Sequence, residues 1–99
     1  MNDETIVLVA RLKVKNGMVD AAKKAALALV PLSRQEAGCI NYDVHQAIDD
    51  ESVFVWHETW ANQAALDEHF ATTFFKEFFA GMGEMVVEPP VITLTKLIS

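Results

Sequence analysis

The stretch Ser52-Val-Phe-Val-Trp-His-Glu-Thr-Trp60 alternates with the period of two that places successive side chains on opposite faces of a strand. Phe54, Trp56, Glu58 and Trp60 share one face, and Val53, Val55, His57 and Thr59 share the other. Both faces carry large apolar side chains, so this strand expects cover on each side. A carboxylate set among two tryptophans and a phenylalanine is the exception in that pattern and has to be paired, hydrogen-bonded or protonated.

Working back along the chain, Asp49-Asp50-Glu51 reads as a solvated turn that joins this strand to another over Cys39 to Gln46, as a hairpin. Gly38 stops a long Ala-rich amphipathic helix over Met18 to Glu36, with Val19, Ala22, Ala26, Leu29 and Ser33 at helical spacing. Pro31 lies inside that helix and removes one backbone donor, which predicts a kink or a tightened last segment. Before it, Thr5 to Lys15 alternates Ile6, Leu8, Ala10, Leu12 and Val14 against Val7, Val9, Arg11, Lys13 and Lys15, a strand ended by Asn16-Gly17.

Working forward, Asn62 is a good N-cap for a helix over Gln63 to Ala71, with Ala65, Leu66, His69 and Phe70 on one face. Thr72-Thr73 separates it from a second helical piece that carries Phe75, Phe78, Phe79 and Met82, and Pro89-Pro90 forces an extended entry into a last strand, Val91 to Ile98. The order is β-α-β-β-α-β, an α+β chain with a ferredoxin-like antiparallel sheet and its helices on one face. Val7, Val9, Val53 and Val55 then leave an apolar patch on the open face, and a second copy packed sheet to sheet would cover it.

At 99 residues the chain is the size of one domain, taken here as residues 1–99, and 52% hydrophobic with 22% charged residues is an ordinary globular balance. Fourteen acidic against eight basic residues give a net charge of -6, which leaves no basic surface for phosphates and excludes nucleic acid as a partner. No apolar run approaches a membrane span, and the acidic start Met1-Asn-Asp-Glu lacks the basic and apolar segments of a signal peptide, so a soluble cytoplasmic protein is expected, with no membrane partner.

Phosphate-binding glycine loops, zinc-protease motifs and nucleophile elbows are absent from the sequence. His45, His57 and His69 fall on different elements, which speaks against a shared metal site. Cys39 has no second cysteine and no base beside it in the pattern, and reads as a small buried hydrophobe. His69 follows Ala65 and Leu66 at helical spacing and must face the interior, either as a core histidine bonded to a carbonyl or carboxylate or as a base. Glu58 is either a structural partner for a helix N-terminus, an arginine or His69, or part of a site. Trp56 and Trp60 form a flat wall that either fills the core or lines a slot for a planar ring, and the phenylalanines repeat that choice from the helix side.

Glu36-Ala-Gly38-Cys39-x-x-Tyr42, then Phe54, Glu58-Thr-Trp60, Ala65-Leu66-x-x-His69 and Phe75, resembles the antibiotic biosynthesis monooxygenase domain family over nearly the whole chain. The resemblance implies a dimeric α+β barrel of ferredoxin-like protomers. Similar domains include cofactor-free oxygenases of quinols and anthrones, haem-degrading enzymes and signal-molecule-processing enzymes. The anthrone oxygenases carry an asparagine where this chain has Trp56 and a tyrosine where it has Leu66. The haem-degrading members carry an asparagine and a histidine at positions that look like Ala10 and Phe79, which disfavours haem.

The expected function is a cofactor-independent monooxygenase of a small quinol, phenol or enolisable ring, working as a homodimer with no metal. His69 would take the proton, Glu58 would orient it, Trp56, Trp60, Phe75 and Phe78 would hold the ring, and one of Asn41 and Tyr42 would supply a polar contact. The alternatives are a non-catalytic ligand-binding or stress-associated dimer, or a signal-molecule-processing isomerase of the same fold. A cavity beside His69 distinguishes a site from a filled core.

Overall fold

A computed structural model describes residues 4–99; the acidic start Met1 to Asp3 lies outside the described residues. The elements are β1 (Ile6–Lys13), α1 (Val19–Arg34), β2 (Cys39–Gln46), β3 (Val53–Trp60), α2 (Gln63–Ala71), α3 (Thr73–Met82) and β4 (Val91–Thr95). The four strands form one antiparallel sheet in the order β2-β3-β1-β4, with β3 and β1 in the centre. This is the ferredoxin-like arrangement read from the chain, with the second helical region resolved into two helices. No helix among the described residues is long and apolar enough to cross a membrane.

Local chemistry accounts for the element ends. Asn16-Gly17 turns the chain out of β1 with Gly17 at a φ of 87°, a left-handed conformation that glycine adopts without steric cost. Pro31 stays within α1, and the following backbone tightens, with the Glu36 N–H bonded to the Ser33 carbonyl. The Asp50 carboxylate accepts from both the backbone and the hydroxyl of Ser52 and closes the β2–β3 turn. Asn62 caps α2 by accepting from the Ala65 N–H at 2.9 Å. Thr72 serves two helices at once: its hydroxyl donates to the His69 carbonyl at the end of α2 and accepts from the Phe75 N–H at the start of α3.

Leu8 and Leu12 of β1 and Phe54, Trp56 and Trp60 of β3 form the core with Ala22, Ala26 and Leu29 of α1, Leu66 of α2 and Met82 of α3. The alanine face of α1 lets the helix lie close to the sheet. Gly38 does the same for α2, since a Cβ at that position would overlap the Cβ of Ala65. The opposite sheet face is less apolar than the valine pattern implies: Val53 is buried within the protomer, Val7 and Val55 are half-buried, and Val9 is 38% exposed. Exposed apolar surface gathers instead along the edge, at Val91, Ile92 and Leu94 of β4 and at Leu97 and Ile98 beyond it.

Candidate functional site

The central strands set the position of Glu58. Its register partners are Leu8 on β1 and Tyr42 on β2, so the carboxyl rises between two flanking side chains on the helix-covered face and is 5% exposed. The Trp60 Nε1–H donates to Glu58 Oε1 at 3.0 Å. Burial raises the Glu58 pKa from 4.5 to about 7; the Trp60 hydrogen bond works in the opposite direction, and the nearby Glu36 charge adds to the rise. Glu58 is therefore a carboxyl that changes protonation state near neutral pH, the property a general base needs.

A cavity of about 80 Å³ lies above it. Leu8, Ala10 and Leu12 of β1, Tyr42 of β2 and Trp56 and Glu58 of β3 form its floor. Phe70 of α2 and Phe75, Phe78, Phe79 and Met82 of α3 cover it, and Gly83, Pro90 and Ile92 complete the rim. Phe79 and Ile92 are 45% and 43% exposed, so the cavity opens between α3 and β4. Trp56 meets Phe78 edge to face at 5.9 Å, and its Nε1–H donates to the Tyr42 hydroxyl at 3.1 Å. Burial pushes the Tyr42 phenol well above its ordinary value. The wall thus offers hydrocarbon, one neutral phenol and one carboxyl that can ionise.

His69 lies one layer behind that wall. It is fully buried in the last turn of α2, with its ring packed 4.5 Å from that of Trp60, 5.1 Å from Phe75 and 5.7 Å from Tyr42. Its Nδ1–H donates to Glu36 Oε2 at 2.6 Å, while Nε2 is buried without a partner. Burial lowers the His69 pKa and the Glu36 carboxylate pushes back. A neutral ring with its proton on Nδ1 fits both facts, since a bare nitrogen lone pair is cheaper to bury than an unpaired N–H.

Several expected placements change. The carboxylate on His69 is Glu36, not Glu58, because the close approach of α2 at Gly38 brings His69 down onto the link that follows α1. The cavity adjoins Glu58, and neither His69 nor Trp60 lines it; Trp60 is fully buried between the two. Asn41 lies on the open face, where its Nδ2 donates to the His57 carbonyl at 2.9 Å and to Asp43 Oδ2 at 3.0 Å. A register irregularity between Cys39 and Asn41 aligns Asn41 with Thr59 and leaves Tyr42 on the helix side. Trp56, Tyr42, Phe75 and Phe78 do come together around the cavity.

Glu36, Phe70 and Met82 complete the arrangement and carry no spacing signal as site residues, while Phe79, one of the phenylalanines open to either a core or a slot reading, lines the cavity. Ala10 lines the cavity as well. Burial, together with Glu36 and Glu58, pushes the Cys39 thiol up to about 11, which keeps it protonated. Among the described residues no group of three or more His, Cys, Asp or Glu is placed to hold a metal ion.

Residues 5–81 match the family model described as antibiotic biosynthesis monooxygenase. The chain is 35% identical to "Putative monooxygenase YcnE" of Bacillus subtilis (strain 168), over 93% of this chain and 97% of that protein. It is 32% identical to the Synechocystis protein sll1783 over 96% of its own length but spans only 65% of that relative. Among solved structures it is similar to PA3566 from Pseudomonas aeruginosa, with a TM-score of 0.91 and 31% identity, covering 98% of this chain and 97% of that one.

Proposed function

Since the chain belongs to the antibiotic biosynthesis monooxygenase family, we propose that it is a monooxygenase-like oxidoreductase that oxidises a small quinol, phenol or enolisable ring without a bound cofactor. One observation carries this reading: among the described residues the only carboxyl on the wall of a largely apolar, aromatic cavity is Glu58, whose pKa is raised to about 7. Hydrocarbon walls suit an uncharged flat ring, and a single base suits a substrate that has one acidic proton to lose.

Glu58 takes that proton. The resulting anion is electron-rich enough to reduce O₂, which adds to the ring carbon as a peroxide. Returning the proton from Glu58 gives the hydroperoxide; its O–O bond breaks, one oxygen stays on carbon as a carbonyl, and the other leaves as water with the hydrogen that carbon gives up. Trp56, Phe75 and Phe78 hold the ring, Tyr42 contributes its hydroxyl, and His69 with Trp60 supports the carboxyl from behind. The unit at work is a single-domain, cytoplasmic homodimer whose second copy covers the open sheet face around Val7, Val9 and Val55.

Oxygen uptake by metal-free protein with a panel of quinols, catechols and anthrones tests this directly. Uptake that is lost in Glu58→Gln supports the reading. Saturable binding of the same compounds with no uptake in the wild type would replace it with a ligand-binding role.

A further inference from the structure

Glu36, Trp60 and His69 use three elements to build one support. Gly38 admits Ala65 of α2 at a distance no side chain would allow, and one turn later His69 reaches Glu36 at 2.6 Å. The imidazole lies against the indole of Trp60 at 4.5 Å with 32° between the ring planes, and the same indole donates to Glu58 at 3.0 Å. We infer that Glu36 and His69 are positioning residues for Glu58, acting through Trp60: the anchored imidazole holds the indole, and the indole holds Oε1 so that Oε2 is left for the cavity. This rests on the reading of Glu58 as the proton acceptor.

Such a support is otherwise an expensive construction. A buried imidazole with one unpartnered nitrogen and a carboxylate beside it costs more than a leucine in the same space. Neither group lines the cavity. Glu36 bonds His69, and His69 packs most closely on the Trp60 ring, which bonds the carboxyl on the cavity wall.

The groups that face Glu58 are few. β2 contributes Tyr42 and the Cys39 thiol, and the link after α1 contributes Glu36, while His69 of α2 lies on the far side of the Trp60 ring. Leu8 of β1 and Phe75 and Phe78 of α3 have no titratable atom. The Glu36 charge pushes Glu58 up while the Trp60 N–H pulls it down.

The test reads the Trp60 indole N–H resonance and the Glu58 side-chain carboxyl resonance of the full chain across pH, with Glu58→Gln as the assignment control. In the wild type the indole resonance follows the Glu58 titration, with its midpoint near the carboxyl's. In His69→Ala and in Glu36→Leu at least half of that indole response is lost, because the ring is no longer held. In Glu36→Gln the amide oxygen still accepts from His69 Nδ1, so the response persists, and its midpoint moves to lower pH because the repelling charge is gone. A purely structural dyad would lower the melting temperature and leave the response intact; full indole response in either His69→Ala or Glu36→Leu overturns the inference. Should His69→Ala fail to fold, Glu36→Leu against Glu36→Gln decides. No substrate is involved, so a protein that never consumes oxygen can still pass, and an active oxygenase can still fail.

Discussion

The Glu36 carboxylate and the His69 imidazole meet at 2.6 Å across 33 positions of the chain, behind the cavity wall and out of reach of anything bound there. The histidine with the most buried ring is thereby tied to the link after α1, and Glu58 supplies the carboxyl on the cavity wall.

Replacing Glu58 by Gln removes the base and keeps a side chain of the same size. Turnover is expected to fall by about 10² to 10⁴-fold, the usual contribution of a positioned acid or base, with the fold retained by circular dichroism. The wild-type rate should rise with pH through about 7, as the carboxylate forms. A rate that is flat between pH 5 and 9, read as oxygen uptake, would remove Glu58 from the mechanism.

The same carboxyl makes a prediction about stability. Its pKa is higher in the folded chain than in the unfolded one, so between 4.5 and about 7 the native state holds a proton that the unfolded state has lost, and stability falls as pH rises. At about 1.4 kcal/mol per pH unit the full decline is on the order of 3 kcal/mol. Urea unfolding at a series of pH values should show Glu58→Gln gaining on the wild type by up to that amount across the window, and levelling above it. His69 acts with the opposite sign on the acid side, where the unfolded ring gains a proton that the buried one resists.

His69→Ala separates support from chemistry. Loss of a fully buried ring and its hydrogen bond should cost about 2 to 4 kcal/mol, seen as an earlier thermal melt. If His69 only supports Glu58, the rate of the folded fraction drops less than in Glu58→Gln and a pH-dependent rise survives with a displaced midpoint. Equal losses in the two variants would return the proton transfer to the imidazole.

Gly38→Ala should destabilise the chain by about 1 to 3 kcal/mol through overlap with Ala65. Adding Ala65→Gly should recover part of that loss in a double-mutant cycle. Strictly additive effects would show that the two backbones do not press on each other there.

Light scattering at micromolar concentration should give a dimer, and Val55→Asp, which places a charge on the half-buried open face, should split it or unfold the chain. An unaltered dimer would move the contact to another surface, such as the exposed apolar β4 edge at Val91 and Leu94.

Most of the fold was legible because it is written in periods. The alternation of Phe54, Trp56, Glu58 and Trp60 placed the inner face of β3, Asn62 and Thr72 marked the helix starts, and Gly17 and Gly38 marked the stops. The site was legible in part. Trp56, Tyr42, Phe75 and Phe78 carry large side chains on inward positions and meet where alternation and helical spacing aim them. Glu36 gave no such signal, since it lies in the irregular link after α1 and its partner is 33 positions away. Asn41 was ambiguous because the register irregularity beside it changes which parity faces the helices. Trp60 has the right face but the wrong depth: period two reports direction, and only packing against His69 reports that the ring is filled from behind.

Thr72 has a mechanical consequence. Where two helices are joined by a loop, slack in the loop lets one swing without disturbing the other. Here a single hydroxyl closes α2 and opens α3, so the join is a corner with no spare length. The aromatic cover over the cavity and the helix that carries His69 therefore share one cap, and losing that hydroxyl would free the end of α2 and the start of α3 together.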